Sequence, residues 1–179
     1  MKQILAGALL LSAVCATAAY ASLAVGAKAP DFTLQASMGG KDFTFSLADA
    51  LKKGPVVLYF YPAAFTKGCT IEAHDFADAM DQFAAQGATV IGVSHDNIAT
   101  LDKFSVSECR SKFPVAADTD EAVTKSYDAV LAIKPEYANR TSYVIAPDHS
   151  VLLAYTDLNP DQHVAQTMAA VKAWKAAHP

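Results

Sequence analysis

Apolar positions along this chain come as short unbroken runs set between amphipathic stretches. That is the rhythm of strands buried on both faces alternating with helices. The clearest run is Pro55-Val56-Val57-Leu58-Tyr59-Phe60-Tyr61, rich in β-branched and aromatic residues, and it predicts a strand at the centre of a sheet. Ala88–Ser94 predicts a second buried strand. Upstream, Asp31–Gln35 and Asp42–Phe45 flank Met38-Gly39-Gly40, a hairpin-like turn signal. Ser46–Lys53 reads as a short helix with Gly54 just beyond its end. Between the two buried strands a helix is predicted from about Thr66 to Gln86, with Phe76, Met80 and Phe83 on one stripe and Gly87 as its stop. Asp96 or Asn97 then caps a helix running to about Lys112, Phe113–Ala117 reads as a short strand, and Thr119–Tyr127 as a helix. Ser142–Ala146 and Val151–Tyr155 form an antiparallel hairpin around Pro147-Asp148-His149-Ser150. Asn159-Pro160-Asp161 opens the last helix, Asn as cap and Pro at the first position, with Val164, Met168, Val171 and Trp174 as its buried face.

This order predicts an α/β domain: a mixed central sheet flanked by helices, with an N-terminal hairpin. A thioredoxin-like fold with insertions has the same order, as do other α/β folds. No repeat, low-complexity tract or linker divides residues 22–179, which read as a single domain.

Residues 1–21 follow a different pattern. A single positive charge at Lys2 precedes the uncharged stretch Ile4–Ala19, which closes on Ala19-Tyr20-Ala21. Charged start, apolar middle and small-x-small ending predict a secretory signal peptide; the apolar stretch is short for a membrane anchor, which takes about 20 residues. Cys15 lacks the Leu three residues earlier that lipoprotein processing uses. Composition changes little else. The formal charge of −4 gives no basic footprint for nucleic acid, and 53% hydrophobic residues exclude a disordered chain. The cysteine count is more informative. Three cysteines become two, Cys69 and Cys109, once the leader is removed, and export places them in an oxidising compartment, here expected to be a periplasm.

Cys69 carries the candidate chemistry. In Tyr61-Pro62-Ala63-Ala64-Phe65-Thr66-Lys67-Gly68-Cys69-Thr70-Ile71-Glu72 a buried strand ends, a short loop follows and a helix begins. Thr66 is placed as the N-cap and Cys69 in the first turn, where backbone N–H groups and the helix dipole favour a thiolate. A buried cysteine packed as a small hydrophobe fits this placement equally well. Thr66 as a plain helix cap, Glu72 as a plain partner of the dipole, Pro62 as a strand terminator and Arg140 as a surface charge are the corresponding bland readings. Asn139-Arg140-Thr141 also matches a glycosylation sequon, read as accidental because a glycan beside Arg140 would be hard to accommodate were that residue part of a site. The five histidines show no ligand spacing, and His74 and Asp75 near Cys69 read as helix lining, so neither a metal nor another cofactor is expected.

Pro62-x-x-x-Thr66-x-x-Cys69, with Glu72 three residues on, resembles the peroxiredoxin signature. Ala29-Pro30-Asp31-Phe32-Thr33-Leu34 is similar to that family's N-terminal start, Val57–Pro62 to its strand into the active site, and Asn139–Ile145 to the strand bearing its active-site Arg. The likeness runs along nearly the whole of residues 22–179 and is nearest the Q-type branch, also called bacterioferritin comigratory protein. It implies a thiol-dependent peroxidase acting on hydrogen peroxide and organic hydroperoxides. Cys69 would be the peroxidatic nucleophile and Thr66 a hydrogen-bonding partner of the peroxide. Arg140 would stabilise thiolate and developing oxygen charge, Pro62 would shield the site, and Glu72 would stand behind them.

The resemblance also leaves an open question. Where many Q-type members have a resolving cysteine, five residues after the first, this chain has His74. Cys109, near the end of the second major helix, is then the candidate to attack a Cys69 sulfenic acid and form an intramolecular disulfide. That step needs local unwinding, because a disulfide brings Cα atoms within about 7 Å. The alternative is a one-cysteine enzyme with Cys109 as bystander. A thioredoxin-type oxidoreductase would need Cys at position 66, where Thr stands, and a catalytically idle binding domain is the reading outside enzymes. The implied partners are a hydroperoxide and an external thiol reductant, thioredoxin-like or of low molecular weight. Nucleic acid and, after leader removal, stable membrane association are not expected, and the protein is expected as a monomer or homodimer.

Overall fold

The computed structural model describes residues 22–178; the expected leader, residues 1–21, lies outside the described residues. A seven-stranded mixed sheet runs through them in the order β2-β1-β5-β4-β3-β6-β7. The central run forms β3 (Val56–Phe60), paired parallel to β4 (Thr89–Ser94) and antiparallel to β6 (Thr141–Ile145). All five residues of β3 and all five of β6 are buried, as strands covered on both faces require.

Alternation along β3 divides the core in two. Val56, Leu58 and Phe60 point into one cluster, with Phe32, Leu47, Leu51, Tyr127 and Tyr143. Val57, Tyr59 and Tyr61 point into the other, with Phe76, Phe83, Leu101, Phe104, Phe113, Met168 and Val171. The first face is covered by the short helices α1 (Leu47–Leu51) and α4 (Ala122–Ser126), the second by α2 (Lys67–Ala85), α3 (Ile98–Ser107) and α5 (His163–Ala177). The hairpin of β1 (Thr33–Met38) and β2 (Lys41–Ser46) turns at Gly39-Gly40 and reaches the sheet through β5 (Val115–Ala117). Strand β7 (Val151–Thr156) closes the other edge. No described helix is long and apolar enough to cross a membrane.

The sequence expectations hold for element order and fail at three helix ends. The helix expected to run to Lys112 stops at Ser107. Arg110 and Ser111 adopt left-handed backbone, with φ of 50° and 55°, and the chain closes through Ser111 N–H to the Ser105 carbonyl and Lys112 N–H to the Cys109 carbonyl. Cys109 therefore sits in a tight turn past α3, not in the helix. The Thr119–Tyr127 helix begins only at Ala122, because the buried Asp118 carboxylate accepts from the N–H groups of Val123 and Thr124 at 3.1 and 2.7 Å. Asn159 does cap, accepting from Asp161 N–H at 3.2 Å, but the segment it opens is a 3-10 turn over Pro160–Gln162. Helix α5 follows from His163, whose face is buried together with Thr167, Met168 and Val171. At the α3 start Asn97, not Asp96, is the cap, accepting from Thr100 N–H at 3.0 Å.

Aromatic rings link the deep core to the end of β3. Tyr59 stacks on Phe76 at 4.5 Å, Tyr61 lies 5.4 Å from Tyr59 and 5.6 Å from Phe104, and Phe104 meets the edge of Phe65 at 5.2 Å. The ring of Tyr59 lies over Gly92 in β4, where a β-carbon would come within 2.7 Å of it. Gly92→Ala should therefore overpack the second core face, costing about 1–3 kcal/mol. The expected reading is a lower urea midpoint with an unchanged m-value; an unchanged midpoint would show that the ring yields freely.

Candidate active site

The site forms where β3 hands over to α2. Tyr61 N–H continues the sheet to the Val93 carbonyl at 3.1 Å, then Pro62, half-buried, leads the chain off the sheet. The loop is held from β4: the Asp96 carboxylate accepts from Ala64 N–H at 2.7 Å and from the Ser94 hydroxyl at 2.8 Å. Phe65 takes a left-handed conformation (φ 62°), a costly choice for an aromatic residue, and this turns the backbone into the first turn of α2.

Thr66 stands at the N-cap position but does not cap: its hydroxyl donates to the Ala63 carbonyl at 3.0 Å and α2 has no side-chain cap. The cap-only reading of Thr66 thus fails. Its exposed oxygen keeps lone pairs free to accept, and no side chain occupies the first amides of the helix. Cys69, in that first turn, is 1% exposed.

Arg140 meets the sulfur from the other side. It immediately precedes β6, whose register pairs Thr141 with Phe60, so the strand pairing delivers Arg140 to the end of β3. The side chain is 4% exposed, not a surface charge. Nη2 donates to Cys69 Sγ at 3.5 Å, Nη1 is paired closely with the Glu72 carboxylate, and Nε donates to the Leu158 carbonyl at 3.0 Å. Gly68 makes room for this approach, since a β-carbon there would lie 2.9 Å from Nη2. Charge is retained on Arg140 although burial opposes it, because Glu72 and Cys69 face it. Asn139, beside it, is half-buried with its side-chain oxygen fully buried, and Thr141 is buried.

Glu72 is fully buried one helical turn after Cys69. Burial pushes its carboxyl up to about 8 despite the Arg140 charge and hydrogen bond, with Asp75 adding to the rise. Its Oε2 takes Arg140, while Oε1 has no hydrogen-bond partner and lies 3.6 Å from His163 Nδ1. His163 in turn contacts the Ser142 hydroxyl through Nδ1 at 2.8 Å and the Asp157 carbonyl through Nε2 at 2.9 Å.

Pro62, Thr66, Cys69, Glu72 and Arg140 are thus brought to one end of the sheet, and Cys109 is not placed on Cys69: both thiols are free. Cys109 is fully buried in the same core cluster, and burial, then Glu108, pushes its thiol far up. Its turn is pinned to α2 from both sides, by His74 Nε2 to Glu108 Oε2 at 2.8 Å and by an ion pair of Asp78 with Arg110. His74 is thereby committed to Glu108. Among the described residues no three His, Cys, Asp or Glu side chains converge as a metal ion would need.

Sequence reasoning missed Ser142, His163 and Asp96. A serine inside the buried run Thr141–Ile145 was the one local signal; a polar side chain facing a core asks for a buried partner.

The chain's residues 25–154 match the AhpC/TSA family model. Peroxiredoxin Bcp of Xanthomonas campestris is 32% identical over 124 residues, covering 66% of this chain and 76% of that protein. Among solved structures, peroxidoxin BcpB of Mycobacterium tuberculosis superposes with a TM-score of 0.75 at 32% identity, covering 83% of this chain and 96% of that one. A mutant of Xylella fastidiosa PrxQ gives a TM-score of 0.76 at 25% identity, covering 86% and 98%.

Two expectations follow from the geometry. Gly68→Ala should push Arg140 off the sulfur and lower iodoacetamide alkylation of Cys69 at neutral pH about tenfold; unchanged alkylation would show that the 3.5 Å contact does not support the thiolate. Glu72, raised in the folded state, binds a proton that the unfolded chain has released, so its stabilising contribution is complete below the ordinary carboxylate range and is lost as pH rises through about 8. Urea midpoints measured across that window should fall for the wild type and flatten in Glu72→Gln.

Proposed function

Since the chain belongs to the AhpC/TSA family of peroxiredoxins, we propose that its thiol-dependent peroxidase activity runs through Cys69, with Thr66, Arg140 and Pro62 as its immediate partners. The family reduces hydroperoxides with electrons from thiols, and this chain is such an enzyme. The observation that carries the assignment of Cys69 is the buried helix-start sulfur facing the Arg140 guanidinium at 3.5 Å.

The thiolate Sγ attacks the nearer peroxide oxygen. The S–O bond forms as the O–O bond breaks, leaving Cys69 sulfenic acid and an alkoxide or hydroxide that takes up a proton. Charge developing on both oxygens is met by Arg140 and by the uncapped amides at the start of α2. The Thr66 hydroxyl, with its own proton directed to Ala63, presents an acceptor to the peroxide O–H. Pro62 forms one wall and carries no N–H that would bind competing water.

The second half of the cycle is proposed as a two-cysteine route. The Cys109 thiol displaces hydroxide from the Cys69 sulfenic acid, giving a Cys69–Cys109 disulfide and water, and an external dithiol returns both to thiols. It is supported by the presence of both thiols on one face of the sheet and by the even count left after removal of residues 1–21. A one-cysteine cycle is the second reading, favoured by the burial of Cys109. The finer family placement, Q-type, rests on the bacterioferritin-comigratory-type relatives. Removal of residues 1–21 on export to a periplasm, a single domain over 22–179, and a monomer or homodimer reduced by a thioredoxin-like protein or a small thiol complete the proposal.

Peroxide consumption with dithiothreitol as reductant should be abolished in Cys69→Ser. With no reductant present, Cys109→Ser should still consume one equivalent of peroxide rapidly, after which Cys69 accumulates as sulfenic acid and, with further peroxide, as sulfinic acid by mass mapping, where the wild type gives a Cys69–Cys109 disulfide. A wild type that gives Cys69 sulfenic or sulfinic acid with Cys109 still a free thiol would establish the one-cysteine cycle.

A further inference from the structure

Behind Arg140 lies a second buried layer that the peroxidase chemistry above does not use: Glu72, His163 and Ser142, each fully buried. Its hydrogen-bond arithmetic does not close. The Asp157 carbonyl can only accept, so His163 Nε2 carries a hydrogen. In a neutral ring Nδ1 is then a lone pair, and it accepts from the Ser142 hydroxyl at 2.8 Å. Glu72 Oε1 faces that same lone pair at 3.6 Å and has no donor at all. An ionised carboxylate oxygen left bare in a dry core is among the costliest arrangements a protein can hold. One proton held by the pair removes the conflict: on Oε1 it takes the charge off the carboxylate, and on Nδ1 it makes the Ser142 hydroxyl the acceptor and sets a cation 3.6 Å from Oε1.

We infer that His163 is a positioning residue of the peroxidase site, sharing one proton with Glu72 so that the Glu72–His163 pair is net neutral and the positive charge of Arg140 is left free to act on the Cys69 sulfur. The inference rests on the assignment of Cys69 and Arg140 above and adds a role to a residue outside that constellation. Its consequence is electrostatic. Were Glu72 a bare carboxylate, its charge would offset Arg140 at the moment the thiolate and the leaving oxygen need it. With the proton in place, Glu72 holds the guanidinium by a hydrogen bond without neutralising it.

The surroundings favour the neutral pair. Burial raises Glu72 and lowers His163, so both resist charge. Asp75, on α2, raises Glu72 further, while Arg140 lowers both Glu72 and His163. From the other elements, Asp157 favours a charged imidazole, Tyr155 packs its ring edge-on against His163 at 4.8 Å, and Asp161, in the 3-10 turn before α5, acts on Asp75.

The test has an arm that needs no variant. In the reduced wild type, the His163 ring nitrogens and the Glu72 side-chain carboxyl carbon are followed by NMR across pH. The expected result is one common step near 8, with a proton in the pair at neutral pH; an ionised Glu72 beside a bare Nδ1 at neutral pH would overturn the inference. The second arm reads the sulfur. His163→Asn offers Oε1 an amide N–H donor that needs no added proton, so Glu72 should ionise at lower pH and Cys69 alkylation at neutral pH should fall about tenfold. In a Glu72→Gln background, where no carboxylate remains, the same His163→Asn change should leave the alkylation profile unmoved. An equal fall in both backgrounds, or none in either, would refute a role exerted through Glu72. Failure of the Cys69 assignment itself is separate, since it appears as peroxidase activity in Cys69→Ser with the NMR step intact.

Discussion

A guanidinium buried to 4% exposure has to be matched on every side, and the architecture around Cys69 is organised by that requirement. Arg140 distributes its donors to a sulfur, a carboxylate and a carbonyl, reaching α2 twice and the segment after β7 once. Each arm fixes the others. The Leu158 carbonyl orients the fork, Glu72 sets its plane, and the remaining nitrogen is directed at Cys69. The planar fork makes this possible; a lysine ammonium in the same place could supply charge without the three fixed directions.

Three features of the fold bring Arg140, Glu72 and the histidine behind them together. Antiparallel pairing of β6 with β3 carries Arg140 to the edge where β3 ends. The helical repeat of α2 sets Glu72 one turn beyond Cys69 on the buried face. The covering helix α5 brings His163 against the back of Glu72. The aromatic stack from Phe76 through Tyr59 and Tyr61 to Phe104 and Phe65 ties the loop to the rigid core. The strained backbone of Phe65 is thus held by packing on Phe104 and by Asp96 gripping the neighbouring Ala64 amide. Strain of that kind persists only where surrounding contacts over-determine the conformation.

How much of this was legible beforehand depended on the range of the forces involved. The strand, loop and helix around Cys69 are set by neighbours in sequence, so hydrophobic runs and the Thr66 position revealed them, although not that the Thr66 hydroxyl would donate backwards to Ala63 instead of capping. Arg140 was visible only through resemblance, because nothing local marks a strand-edge arginine as buried. The end of α3 was misjudged for a similar reason. Arg110 and Ser111 turn the chain without glycine or proline, in a turn anchored by pairs to His74 and Asp78 on another helix. His163 and Ser142 were missed outright, since their meaning lies in a carboxylate contributed by α2, far away in sequence.

In the proposed cycle, the same buried pairing that would ready Cys69 opposes what the two-cysteine route asks of it next. To meet Cys109, the first turn of α2 must leave Arg140, and the turn after α3 must release Cys109 from the core. The pairs of His74 with Glu108 and of Asp78 with Arg110 fasten that turn to the body of α2, beyond the part that has to unwind. They therefore do not hold the first turn itself; they hold the backbone of the Cys109 turn beside α2, so that on the two-cysteine route the thiol would have to leave the core without that turn leaving the helix. An exposed ion pair such as Asp78–Arg110 contributes little to global stability, but it biases which segment moves. In the proposed cycle, oxidation would also weaken the reason for the first turn to stay: a neutral sulfenic acid would stand where Arg140 faces the sulfur, and the charge attraction of a thiolate for that guanidinium would be gone once the peroxide had been reduced.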